Sequence, residues 1–317
     1  MRFSVAISGY ELSSLADGYS PLTLAAYKSS LGLLVRFLND PELHQVSEDD
    51  LRRFFAHLRS TYKPDSLNGD LLSTASIHRY WKAIRSFFTW ADRDLHVGRP
   101  DISFRMPKYT NAEIVPFTED EVKRLLVAAE NSQFVHPKDK KDYRYRTPEA
   151  TRNRAILLVL LDTGLRPGEL CRLRVGDVNL QNGEIQISPH HKGKTKPRTV
   201  IIEKGARKAL WEYLTCREER KVNDPLFLTK DGRQMTRHTV FSLVSDMGRR
   251  AGVSDANPYR LRHTFAIEYL RNGGDIFTLQ RILGHTNLNT TRIYLQLAQT
   301  DVAAAHRRAS PVDKWRL

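Results

Sequence analysis

In the stretch LGHTNLNTTRIYLQL, Leu283–Leu297, an imidazole (His285) precedes a phenol (Tyr294) by nine residues. Flanked by Ile293 and Leu295, Tyr294 has two readings: a core ring whose hydroxyl takes any acceptor within reach, or a hydroxyl placed to react. Three further places carry polar chemistry. In DTGLRPGELCRL, Arg166 directly follows a helix-stop signal, and its planar fork suits a phosphate, although arginines there are often plain surface residues. In HHKGKTKP, Lys192, Lys194 and Lys196 crowd a glycine-containing turn. A lysine on a movable tip reaches ligands that a sheet cannot, and a solvated charge run is the ordinary alternative. In NPYRLRHTFA, Arg262 lies between Leu261 and Phe265 on an apolar helix, and a charge on such a face requires a partner. Each signal alone is weak. Their order along the chain carries more.

The charge balance points to a polyanion. Fifty Lys and Arg against 36 Asp and Glu give +14 over 317 residues, and the surplus is uneven. Residues 1–112 hold 14 basic and 12 acidic residues, leaving 36 and 24 to residues 113–317. A basic C-terminal part favours nucleic acid. The chain is long enough for two domains. No apolar run approaches the roughly 18 residues of a membrane span, and the apolar stretch near the N-terminus is too short for a signal peptide. Two cysteines, Cys171 and Cys216, stand apart from any CxxC or Cys/His cluster. They suggest no disulfide framework, no metal site and a reducing, cytoplasmic setting.

The elements that must position these groups follow from periodicity. Three amphipathic helices are expected in the first hundred residues. One starts at Ser20 with Pro21 behind it, and a second at the Ser47–Asp50 capping box with Leu51, Phe54, Phe55 and Leu58 on one face. The third carries Ile77, Trp81, Ile84, Phe87 and Phe88, an aromatic stripe that reads as core. Residues 96–116 lose periodicity and hold three prolines, the mark of a linker. The domains expected are therefore 1–95, a linker at 96–116, and 117–317. In the last, Thr118 and Glu121 form a capping box, and residues 131–150 read as an exposed polar loop. A buried helix runs Arg152–Asp162 to a stop at Gly164. GEIQIS and RTVII alternate with period two and read as a hairpin. Helices are expected over 204–216, 236–251, 258–272, 275–283 and around Tyr294. The fold class is mainly α with a small β-sheet.

The series TGLRPGEL, a hairpin lysine, YRLRHTFA and LGHTNLNTTRIY resembles the catalytic domain of the tyrosine recombinases, the phage-integrase family of site-specific DNA recombinases. The resemblance covers nearly the whole chain. It implies an N-terminal helical, SAM-like core-binding domain ahead of an α+β catalytic domain. By that resemblance Arg166 and Arg262 are the paired arginines, Lys192 the hairpin lysine, His285 the histidine of the LGH motif and Tyr294 the nucleophile. Glu169 supports the site, and His263, beside Arg262, is structural. Lys194, Lys196 and Arg198 are DNA-contact candidates. One position departs from the pattern: where the family has a histidine three residues before the second arginine, this chain has Tyr259. A phenol of pKa about 10 is a poor base at neutral pH, whereas an imidazole is a ready one. Tyr259 retains only a hydrogen bond to offer a phosphate oxygen, and the general-base role falls open.

The implied chemistry is consistent with the residue types. Attack of a tyrosine hydroxyl on a phosphodiester develops charge on two non-bridging oxygens, which two guanidinium forks can hold and His285 can help to bind. The departing 5′-oxygen needs a proton, which suits a lysine on a tip, Lys192 or its neighbour Lys194. A 3′-phosphotyrosyl link conserves the bond, so no cofactor, metal or ATP is expected. The partners implied are duplex DNA held in a two-domain clamp and a homotetramer on DNA. Its docking segment would be LAQTDVAAAHRRASPVDKWRL, with Ala303, Ala304 and Trp315 as contact candidates. Two neighbouring classes share these features: a type IB topoisomerase-like enzyme, and a DNA-binding protein of the same fold without catalysis. The DNA site is not legible in the sequence.

Overall fold

The computed structural model describes residues 1–64, 69–103, 113–131, 146–189, 197–217 and 220–298, with Ser310 and Val312. The chain divides into two compact units, Met1–Glu113 and Ile114–Leu317.

Among the described residues, the first unit holds four α-helices where three were expected: α1 (Phe3–Ala16), α2 (Pro21–Phe37), α3 (Glu48–Ser60) and α4 (Thr74–Leu95). Ser20 caps α2, its hydroxyl accepting from the Thr23 amide at 3.1 Å with Pro21 at the first helical position. Ser47 and Asp50 close both halves of a capping box on α3. Leu51, Phe54, Phe55 and Leu58 are buried, as are Ile77, Ile84, Phe87 and Phe88 of α4. The stripe is thus core, apart from Trp81, which is half-buried against it. The additional helix, α1, lays Phe3, Ala6, Ile7 and Tyr10 into it, with the Phe3 and Phe87 ring centres 5.0 Å apart.

The second unit comprises α5 (Glu119–Glu130), α6 (Ala150–Thr163), the one-turn α7 (Pro167–Leu170), strands β1 (Val178–Asn179), β2 (Glu184–Ile187) and β3 (Arg198–Ile201), then α8 (Lys204–Thr215), α9 (Arg237–Ala251), α10 (Pro258–Arg271), α11 (Ile276–Leu283) and α12 (Asn289–Ala298). The expected hairpin forms as antiparallel β2 and β3, with Ile185 opposite Val200 and Ile187 opposite Arg198. The two-residue β1 adds a third strand on β2. Helix α6 is apolar nearly all round because Ala155, Ile156, Leu157, Val159 and Leu160 are all buried, with α5, α8 and α10 packed about it. A smaller cluster joins α10, α11 and α12 through Ala266, Ile267, Leu270, Leu279, Leu283, Tyr294 and Ala298. Among the described residues, no helix is long and apolar enough to cross a membrane.

Candidate active site

Local chain geometry brings the two arginines together. Helix α6 ends at Gly164, which takes the left-handed conformation at φ 60°. A Cβ there would come within 2.5 Å of Phe265 and 2.8 Å of Leu283, so only glycine fits. The sharp stop sets Arg166 at the N-cap of α7, where its amide donates to Glu169 Oε2 at 2.9 Å. Arg262 projects from α10, with its side chain buried. Its Nη1 donates to the Gly164 carbonyl at 2.5 Å and its Nη2 to the Leu283 carbonyl at 2.8 Å. Arg166 Nη1 donates to that same Leu283 carbonyl at 3.2 Å. Leu283 is the last residue of α11, where Gly284 in the left-handed conformation stops the helix. Carbonyls at a helix C-terminus lack intrahelical partners and carry the negative end of the dipole, so they attract guanidinium groups.

Glu169 is the acid at the centre of this cluster. It receives Arg198 through both oxygens, at 3.0 and 2.9 Å, and Arg166 more loosely at 3.4 Å. Burial pushes the Glu169 carboxyl up, but Arg198 and Arg166 more than offset it and hold the carboxyl below its usual range. Three guanidinium groups therefore face one carboxylate, leaving a positive surplus of about two charges. Burial, reinforced by Arg166, lowers Arg262 to about 10, still charged at neutral pH.

Arg198 departs from the expectation of a DNA contact. Its side chain is 8% exposed, is spent on Glu169, and also donates from Nε to the Ile282 carbonyl at 2.6 Å. The signal was available: in RTVII, period two places Arg198 on the face of Val200 and Ile202, both buried. Lys192, Lys194 and Lys196 lie outside the described residues, as do most of the 131–150 loop, part of the 96–116 linker and most of the C-terminal segment.

His285, just beyond α11, bridges two groups. Its Nε2 faces Arg262 Nη2 at 2.9 Å and its Nδ1 faces Thr291 Oγ1 at 2.8 Å. A guanidinium can only donate, so Nε2 is an acceptor and the proton sits on Nδ1. Burial first, then the charges of Arg262, Arg166 and Arg198, lower this imidazole to about 4. The neutral ring thus orients Arg262, and the donor expected for a phosphate is turned inward.

Tyr294 is packed as a core ring. It shares the buried face of α12 with Thr291 and Ala298 and is 4% exposed, in the small core against α10 and α11. Its hydroxyl nevertheless meets the polar cluster, at 2.9 Å from His263 Nδ1. The His285 ring lies parallel to the phenol, 6.5 Å away. Burial raises the Tyr294 hydroxyl above its ordinary value, and Arg262 and Arg166 pull against that. His263, expected to be structural, is thus bonded to the tyrosine oxygen. Tyr259 sits 41% exposed one turn earlier, its ring against Phe241 of α9. Among the described residues, no group of three or more His, Cys, Asp or Glu gathers as a metal site.

A surplus of guanidinium charge beside a phenol suits a phosphate group. The phage integrase family matches residues 116–301, and the N-terminal SAM-like domain of phage integrases matches residues 10–94. The chain belongs to the phage integrase family, the tyrosine-type site-specific DNA recombinases. It is 31% identical over 303 residues to tyrosine recombinase XerA of Thermococcus kodakarensis, covering 94% of this chain and 93% of that one. Tyrosine recombinase XerC of Roseiflexus castenholzii is 30% identical over 320 residues, covering 95% and 91%. Among solved structures, the Tn1549 transposon integrase in complex with a circular intermediate DNA superimposes with a TM-score of 0.72 at 17% identity, covering 93% and 94%. XerH site-specific recombinase bound to its palindromic difH substrate gives 0.66 at 23% identity, covering 92% and 80%. At those identities the structural likeness is one of fold.

Proposed function

We propose that this chain cleaves and rejoins DNA strands by attack of the Tyr294 hydroxyl on a phosphodiester, with Arg166 and Arg262 holding the non-bridging oxygens. The observation that carries the reading is the convergence of both guanidinium groups on the Leu283 carbonyl. Two forks that already share one oxygen are pre-arranged to share a phosphate, whose developing charge matches the positive surplus. Glu169 fixes Arg166, and His285 orients Arg262. The Oη–P bond forms as the P–O5′ bond breaks, and Lys192 supplies the proton to the leaving oxygen. The 3′-phosphotyrosyl link conserves the bond energy, so a second strand's 5′-hydroxyl can reverse the step without ATP.

The rest of the reading concerns assembly. The two units would close on duplex DNA as a clamp, with most phosphate contacts from the more basic second unit. Four copies would meet on paired specific sites in the cytoplasm, with residues beyond Ala298 docking into a neighbour. The family membership and the XerH and Tn1549 complexes support DNA as the partner.

The deciding experiment offers the protein a duplex nicked beside the cleavage point, so that the released strand diffuses away and traps the covalent intermediate. Wild type should give an adduct through Tyr294, and Tyr294→Phe should bind the same DNA and give none. An adduct of equal yield from Tyr294→Phe would return the phenol to a purely packing role.

A further inference from the structure

We propose that His263 is the group that takes the Tyr294 proton during cleavage and returns it during rejoining. The inference rests on Tyr294 being the nucleophile. Its basis is geometric: His263 Nδ1 lies 2.9 Å from the Tyr294 hydroxyl, within the reach required of a general base.

Helix α10 brings two side chains to the phenol, Arg262, which can only donate to it, and His263, which can accept. Successive positions turn by about 100°, so Arg262 and His263 leave the helix in different directions. Arg262 also donates to the carbonyls of Gly164 and Leu283, whereas His263 lies against the phenol, the two rings 5.7 Å apart at centre. Position 259 lies one turn earlier on the same helix, and its ring packs on Phe241 of α9 with 41% exposure. It also carries a phenol, which would exchange one weak acid for another. His285 is no substitute, since its Nε2 lone pair is taken by Arg262 and its Nδ1 proton by Thr291.

The electrostatics agree with the geometry. Among the described residues, the charged and titratable groups about the pair are Arg262 on α10, Arg166 at the start of α7, and His285 after α11. Burial and then Arg262 lower His263, so it is neutral at physiological pH with a lone pair to offer. Burial keeps the phenol protonated, so attack requires an acceptor for its proton. The proton balance closes. As Oη–P forms and P–O5′ breaks, His263 gains the phenol's proton and Lys192 gives one to O5′. In the reverse step both protons return.

The test reads single-turnover cleavage of the nicked duplex against pH. Wild type should rise to a plateau below about pH 6.5 and stay flat above it. His263→Gln should be about 100-fold slower at pH 7, within the range of general-base effects. The gap should narrow about tenfold per pH unit as hydroxide replaces the imidazole. His263→Asn, a smaller change, should behave alike, with DNA affinity checking that both variants fold. Wild type on a substrate with a 5′-bridging sulfur gives a reading free of any variant. Leaving-group protonation no longer matters there, and the ascending limb should persist unchanged. A loss that is constant with pH would reduce His263 to a positioning role, and no loss, or a wild-type limb extending above pH 9, would overturn the inference outright. An adduct formed through a residue other than Tyr294 would instead overturn the reading beneath it.

Discussion

Arg166 and Arg262, 96 residues apart in sequence, donate to one and the same oxygen, the carbonyl of Leu283, at 3.2 and 2.8 Å. Two like charges converge there because a helix C-terminus, the Glu169 carboxylate and the neutral His285 ring share the cost of bringing them together. A phosphate arriving at the pair would find geometry and charge already set.

Replacing either arginine by lysine keeps the charge and loses the fork. Each substitution should lower the single-turnover cleavage rate by the equivalent of about 2–4 kcal/mol. A neutral methylphosphonate at the cleaved position should partly restore either variant, since less charge then needs holding. Cleavage at wild-type rate by both variants would dissolve the arginine pair as a functional unit.

Arg198 tests the distinction between an internal brace and a DNA contact. Removing Arg198 takes the bidentate partner from the buried Glu169 carboxylate and leaves it only the Arg166 amide and a looser Arg166 contact, so Arg198→Ala should cost about 3 kcal/mol in urea unfolding. The salt dependence of DNA binding should keep its slope, because no phosphate contact is lost. A slope reduced by about one unit with stability intact would move Arg198 back to the DNA surface.

Gly164 links backbone to site. Gly164→Ala places a Cβ against Phe265 and Leu283 in a left-handed conformation, and should destabilise by about 2–4 kcal/mol. Its carbonyl also receives Arg262, so cleavage should fall more than DNA binding does. Equal losses in both would mean that unfolding alone is responsible.

The His285 ring gives a pH signature in stability. Above about pH 6.5 neither the folded nor the unfolded chain carries its proton. Between there and about 4, only the unfolded chain takes it up, so this residue's contribution is lost as the pH falls through that window. Below about 4 both states are protonated and the loss stops growing. His285→Gln should therefore show a flatter fall of Tm between pH 6.5 and 4 than wild type. Parallel curves would mean that the ring titrates normally in the fold.

The pattern of what was legible in the sequence has physical reasons. Capping boxes at Ser47 and Thr118, the stop at Gly164 and the β2–β3 hairpin depend on local residue types, and all four are found. Helix α1 escaped because its apolar residues run round the helix: Val5, Leu12 and Leu15 are exposed while Phe3, Ile7 and Tyr10 are buried, and Arg2 offers no side-chain cap. In the site, the order of Arg166, Arg262, His285 and Tyr294 was readable. The oxygen that gathers the arginines was not, because a backbone carbonyl leaves no mark in residue type. His263 stood beside Arg262 in plain view, but which neighbour it meets depends on how α12 packs along α10.

The last prediction concerns the proton given to the departing 5′-oxygen. Residues 188–197 join the antiparallel strands β2 and β3, and Lys192 and Lys194 fall within that connection, two residues apart. The KG pair favours Lys192. An alkoxide leaves poorly without a proton, whereas a thiolate, with a conjugate acid near a pKa of about 8.5, leaves with little help. Replacing the bridging 5′-oxygen by sulfur should therefore restore cleavage to Lys192→Ala. It should not restore Arg166→Ala to the same degree, because that defect lies in charge on the non-bridging oxygens. Nor should it restore a His263 variant, whose defect lies on the attacking side. Lys194→Ala should be mildly impaired on the ordinary substrate, as a phosphate contact would be. Sulfur rescue of Lys194→Ala with Lys192→Ala still inactive would exchange the two roles. Rescue of neither would place the acid elsewhere, with Tyr259 the next group to substitute.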